Sequence, residues 1–320
     1  MNSEVEDKLK LPFDAVSIQR HQDALGFSLC NVNRIDPIFG GKLPPPPSGI
    51  IPDDDPDYCY AQYYFKGGDG FVHTNRLMAE TAHRMRPGII TISDPLRNCS
   101  VYGRFDGLDA VSSWTYTNPD PKATLFVETL ECEAKEELQM VIPTITLWNY
   151  AGTLTPSGAD RFAREKTLRM EPDRYKECAW FNFSRGVSAI GNYFGSPIEP
   201  TLRGGDPFIY SPETEQAIAE FSRDVLKPFG EFARRTQPMA RRAAVLDSFA
   251  SRVYGNSPAP YNHYPNYAVY NFYTVMNMAH IEADILFDES VDAGALANYD
   301  LLALPCCDVL PESVYHAVLR

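Results

Sequence analysis

The sequence contains no C-x-x-C pair and no H-E-x-x-H or H-x-H histidines, although it carries seven cysteines and six histidines. Structural zinc sites built from those residues typically show such close spacing. An odd, scattered set at Cys30, Cys59, Cys99, Cys132, Cys178, Cys306 and Cys307 is also not a disulfide framework. No metal and no cofactor is expected. Positive charge is scarce too: 29 Lys and Arg stand against 42 Asp and Glu, a net charge of −13. Phosphate recognition requires a concentrated basic surface, so the charge disfavours nucleic acid and none is expected as a partner, while a neutral sugar meets no such objection. No apolar run is long enough to span a bilayer and no signal peptide is seen, so no membrane partner is expected. A phosphate loop is missing as well. The segment "KGGDGF" has the glycines but neither a following Lys-Ser/Thr nor the full dinucleotide fingerprint, and reads as a helix-entry turn.

What is present is a chain of 320 residues, 44% hydrophobic and 22% charged, enough for a large core and for two domains. Pro44 to Pro47 and the following "SGIIPDDDPDY" predict a long surface loop. "HTNRLMAETAHRMRPG" predicts a helix, with Leu77, Met78, Ala82 and Met85 at helical spacing and a Pro87-Gly88 stop. Four short apolar runs follow: "GIITISDP", "LDAVSSWTY", "MVIPTITLWNY" and "ECAWFNFSRGVSAIGNYF". Each has the continuous apolar character of a strand covered on both faces. The segments "ATLFVETLECEAKEELQM" and "GADRFAREKTLRMEPDRY" suit connecting helices, so the alternation implies βα units and a parallel sheet.

"YSPETEQAIAEFSRDVLKPF" predicts a further helix, capped by Ser211 with Pro212 in its first turn and striped by Ile218, Phe221, Val225 and Phe229. Beyond Arg241-Arg242 a second series begins. "AAVLDSFA", "DILFDES" and "YDLLALP" predict strands, "YAVYNFYTVMNMAHIEA" a helix, and "PESVYHAVLR" the start of another.

A barrel-like series with polar and aromatic strand ends, followed by an open unit reading "YDLLALPCCDVLPESVYHAV", resembles the beta-galactosidases of glycoside hydrolase family forty-two. The resemblance implies an α/β fold: the C-terminal half of a (β/α)8 TIM barrel, then part of a flavodoxin-like, amidotransferase-like open parallel sheet. Domains are expected at 1–240 and 241–320. It also implies a glycosidase acting on a carbohydrate O-glycosidic bond, trimeric when full length. In such barrels the acid/base glutamate follows an asparagine at the end of strand four, and "NSE" at Asn2 to Glu4 departs from this by one inserted serine. If Glu4 stands there, the four runs are strands five to eight. The chain is then expected to begin at a strand end and finish inside a helix.

Glycoside hydrolysis needs two carboxylates flanking the scissile bond. Glu4 is the candidate proton donor. The end of the third run offers no partner acid, since it reads Trp148, Asn149, Tyr150. Asp94 in "SDPLR" is the candidate second carboxylate, with loop acids Asp106, Asp109 and Asp120 as alternatives and a strand-ending turn as the structural reading of Asp94-Pro95. Strand-end aromatics suit the apolar faces of pyranose rings, and equally suit a core. Trp114, Tyr116 and Trp148 are expected in the cleft, with Asn2 and Asn149 beside them and Trp180 at the start of the fourth run. Arg97 and Arg185 are expected to hold carboxylates or an acidic sugar, or else to form salt bridges. Two rival functions stay open. One is a barrel that binds carbohydrate or serves as a scaffold without cleaving it; the other is a thiol-dependent amidotransferase-like enzyme using Cys306 or Cys307.

Overall fold

A computed structural model describes residues 45–62, 71–93, 107–112, 140–146, 148–150, 167–193, 211–236, 239–254, 267–292 and 294–320. The proline-rich stretch leads into more than a loop. Strand β1 (Ile50–Ile51) is followed by helix α1 (Pro56–Gln62). Asp55 Oδ1 accepts from the Tyr58 N–H at 3.0 Å and caps this helix, while Pro56 occupies a position where no N–H is needed. Local sequence could not reveal β1, because its partner lies near the other end of the chain.

Helix α2 (Phe71–Met85) forms as expected and ends before Gly88, at φ 84°, a left-handed conformation that glycine adopts without steric cost. The face it buries is not the expected one. Ala79 is buried, whereas Leu77 is 48% and Met85 82% exposed. The small Ala79 side chain permits close approach, and polar contacts fix the rotation. His83 Nε2 lies 2.8 Å from Asp109 Oδ2, the same oxygen that accepts from the Thr91 N–H and Oγ1, each at 2.7 Å. Gly107 is required beside this contact: its φ is 78°, and a Cβ there would meet Arg76 Cγ at 2.8 Å.

Strands β2 (Ile92–Ser93), β3 (Ala110–Val111) and β4 (Met140–Val141) make one parallel sheet in chain order. Residues 142 and 143 separate β4 from β5 (Thr144–Thr146), and Pro143 has no N–H to give a ladder. Strand β6 (Trp148–Tyr150) turns into an antiparallel ribbon with β7 (Thr167–Arg169), so the second segment expected as a connecting helix is partly a strand. The first such segment lies outside the described residues, apart from Met140. The fourth run is corrected as well. Its first part, residues 177–184, belongs to helix α3 (Pro172–Ser184), and only residues near its end form β8 (Gly191–Tyr193), which pairs in parallel with β5. Its buried residues Tyr175, Cys178, Ala179 and Asn182 follow helical i, i+3, i+4, i+7 spacing.

Ser211 caps helix α4 (Pro212–Phe221) through a 3.4 Å bond from the Thr214 N–H. A π-helical turn (Ser222–Leu226) then leads into α5 (Lys227–Arg235). Pro228 cannot donate to the Asp224 carbonyl, and the wider turn adds one residue to the period. The apolar stripe slips accordingly: Phe221 is buried, Phe229 is exposed, and Ala233 becomes the buried position of α5.

The second parallel sheet is built from β9 (Ala243–Asp247), α6 (Phe249–Tyr254), α7 (Tyr267–Met278), β10 (Ala283–Phe287), α8 (Asp288–Asp292), β11 (Leu301–Ala303), β12 (Leu310–Pro311) and α9 (Glu312–Val318). Spatial order is β10-β9-β11, with β12 pairing β1 in parallel. All five residues of β9 are buried, and successive side chains serve opposite faces. Ala243 and Val245 join Tyr273 and Met276 of α7, while Ala244 and Leu246 join Val291 and Val314. The first of these cores also contains Ala79, Leu108, Val111 and Val141, so apolar packing crosses the expected boundary near residue 241.

Candidate functional site

β2, β3 and β4 run parallel in one sheet and β5 and β8 in another, so within each sheet the carboxyl ends share one rim. Asn2, Glu4, Asp94, Arg97, Trp114 and Tyr116 lie outside the described residues, as do Asp106 and Asp120. Trp148 and Asn149 sit just past the end of β5, with their backbones paired to Arg169 and Leu168. Ser112, directly after β3, is buried. The end of β8 is fastened to α3, where the Asn192 side chain bonds Tyr175; burial pushes the Tyr175 phenol up to about 12, against the opposing effect of that bond.

Three expectations are corrected. Arg185 follows a helix rather than a strand, and its Nη2 donates to Tyr273 Oη on α7 at 3.2 Å. It therefore ties the end of α3 to α7 and does not follow the end of a strand. Trp180 lies on α3, half exposed, with edge contacts to Phe183 and Phe221 at centroid distances of 5.5 and 5.4 Å. Asp109 precedes β3 and so stands at the amino end of the strands, opposite the rim. Burial raises the Asp109 pKa, but the bonds from Thr91 and His83 outweigh it and hold the carboxyl below its ordinary value.

A second polar constellation occupies the carboxyl edge of the β10-β9-β11 sheet, where open α/β sheets place their ligand crevices. Asp247 ends β9 at 0% exposure and forms a two-bond ion pair with Arg252, Nε to Oδ1 at 2.8 Å and Nη2 to Oδ2 at 2.5 Å. Asp288, at the end of β10, accepts at Oδ2 from the Phe249 N–H (2.9 Å), the Ala250 N–H (3.2 Å), Ser248 Oγ (3.2 Å) and Tyr58 Oη (3.4 Å). Beside it is a cleft of about 370 Å³ lined by Asp53, Tyr58, Gln62, Asp288, Glu289, Pro311 and Ser313. Asp53 is held there by Ser313, whose Oγ donates at 2.7 Å.

This arrangement is suited to fixing backbone. Asp288 Oδ2 is saturated with donors, which anchor the first turn of α6 to β10. Cys307 is half-buried; burial first, then Asp288 and Asp247, push its thiol far up, which disfavours the nucleophilic thiolate. Among the described residues no hydrogen bond joins Cys306 or Cys307 to a histidine. The sequence reading passed over Asp247, Arg252 and Asp288. Their signal was the aspartate closing each of the runs "AAVLD" and "DILFD".

No family model matches the sequence. A search of curated proteins gives no match either. Among solved structures, the chain is similar to GH5_18 from Streptomyces cattleya in complex with GlcNAc, at 15% identity and TM-score 0.47, over 76% of this chain and 64% of that one. A variant of that protein in complex with Manβ1-4GlcNAc matches at 13% identity and TM-score 0.43, over 76% and 65%. A GH5_18 from Bifidobacterium longum subsp. infantis matches at 9% identity and TM-score 0.38, over 66% and 50%. These neighbours are glycoside hydrolases, but not of family forty-two. The chain thus spans about 64% of the length of the first of them.

Proposed function

We propose that the protein is a glycoside hydrolase-like enzyme acting on a carbohydrate O-glycosidic bond, with Glu4 as general acid and Asp94 as its partner carboxylate. The observation that supports this reading is the parallel sheet β2-β3-β4, whose spatial order follows the chain, with a second parallel pair, β5 and β8, after it. Trp148 and Asn149 follow closely after β5 in the chain. Within the proposal, residues 1–240 form the barrel portion and 241–320 the flavodoxin-like portion; the finer kinship with family forty-two rests on the sequence resemblance.

Hydrolysis of a panel of aryl glycosides and β-linked disaccharides, Manβ1-4GlcNAc included, tests it. Turnover of at least one member is expected, with Glu4→Gln and Asp94→Asn each slowing it roughly 100-fold while binding persists, the usual scale for a positioned acid or base. A mild effect of Asp94→Asn would move the second role to Asp106 or Asp120. The non-catalytic carbohydrate-binding reading is favoured by one feature, the absence of an acid at Trp148-Asn149-Tyr150; saturable binding with no turnover of any member would select it.

A further inference from the structure

The adjacent thiols at the end of β11 are used by nothing described above. Past Ala303 the chain turns at Pro305–Cys306, and Cys306 is exposed at φ 52°, a left-handed conformation uncommon outside glycine. Cys307 is half-buried, with Sγ directed to the Pro305 carbonyl at 3.9 Å. Such an outlier is a reason to look for function. We propose that Cys306 and Cys307 are a redox-responsive vicinal dithiol, which closes to a disulfide by exchange with a low-molecular-weight disulfide and reopens readily.

Neighbouring Cα atoms stand about 3.8 Å apart, closer than the roughly 4.4–6.8 Å of ordinary disulfides, so the ring is strained and easily reduced. The exposed Cys306 thiolate attacks one sulfur of oxidised glutathione, breaking its S–S bond and releasing one glutathione thiolate. Cys307 then gives its proton to solvent and attacks Cys306 Sγ, expelling the second. Two electrons pass from the cysteine pair to one glutathione disulfide. The second step is the slow one, because burial and the charges of Asp288 and Asp247 oppose the Cys307 thiolate. The glutathione adduct on Cys306 therefore accumulates first, and closure quickens as pH rises.

The thiols lead directly into a hydrogen-bonded seam. Val309 N–H donates to Ser251 Oγ at 3.1 Å, its carbonyl accepts from Ser248 and Ser251, and the Leu310 N–H bonds Gly49 at 3.0 Å. This proposal is independent of the carbohydrate reading.

Incubation of the full chain with oxidised glutathione, alkylation of remaining thiols, trypsin cleavage and mass spectrometry test it. No Lys or Arg lies between Arg252 and Arg320, so the peptide 253–320 carries Cys306 and Cys307 as its only cysteines. The wild type is expected to pass from dithiol through a glutathione adduct to a peptide lighter by two hydrogens, restored by dithiothreitol. Cys307→Ser should stop at the adduct, and Cys306→Ser should stay unmodified. Persistence of free thiols or of the adduct in the wild type, loss of the adduct in Cys307→Ser, or disulfide-linked dimers would overturn the proposal.

Discussion

Strand β9 has five buried residues in register with five of β10, whereas β2, β3 and β4 contribute two residues each. The second sheet is held by apolar side chains on both faces and by aspartates that lock its carboxyl edge. In the first region, helix α2 is set by a small residue and a polar latch, and β8 by the Tyr175–Asn192 bond. Apolar burial of a full strand leaves a continuous signature in the sequence. A latch assembled from Thr91, Asp109 and His83 leaves almost none.

The largest effect is expected at the buried Asp247–Arg252 pair. Arg252→Leu leaves Asp247 charged and unpaired at zero exposure, which costs about 3–5 kcal/mol. All three tryptophans, Trp114, Trp148 and Trp180, precede residue 241. Since Val111 and Val141 pack with Val245, tryptophan fluorescence should report the loss as a lower urea midpoint. An unmoved fluorescence transition beside a shifted circular-dichroism transition would mean that the two sheets unfold independently.

A smaller effect of opposite sign sharpens the contrast. Asn182 is 0% exposed, and among the described residues its amide has no hydrogen-bond partner. Asn182→Leu should stabilise by about 1 kcal/mol, since burying an unsatisfied amide costs roughly that much. A lower denaturation midpoint would mean that a bound water or another group satisfies the amide.

The smallest effect concerns the α2 latch. Asp109 has its folded pKa lowered, so its contribution is fully present above the unfolded value near 3.9 and is lost as pH falls through the folded one. The stability difference between wild type and Asp109→Asn should be constant above about pH 5 and shrink towards pH 3. A difference independent of pH would remove the carboxylate from the account of this latch.

These contrasts explain what the sequence could disclose. "AAVLDSFA", "DILFDES" and "YDLLALP" read directly as the strands they form, and Ser211-Pro212 as the helix start it is. The run at 177–194 misled because Trp180, Phe181 and Phe183 favour strands, although Pro172 and the stripe Tyr175, Cys178, Ala179, Asn182 carry helical spacing. Strand β1 depends on a partner at Leu310–Pro311, and the π turn at Ser222–Leu226 moves Phe229 off its stripe; neither has a local signal. Of the candidate site, the parallel order of β2, β3 and β4 was legible, but the role of Arg185 was not, because its bond to Tyr273 joins separate regions.

The proposed role of Glu4, protonation of the departing glycosidic oxygen, is tested most directly by turnover of Glu4→Gln on aryl glycosides graded by leaving-group acidity. Loss of the acid should slow poor leaving groups roughly 100-fold or more, and good ones far less, because an acidic phenol departs without a proton. Equal turnover of Glu4→Gln and wild type across the series would contradict that role and leave Glu4 without a part in catalysis.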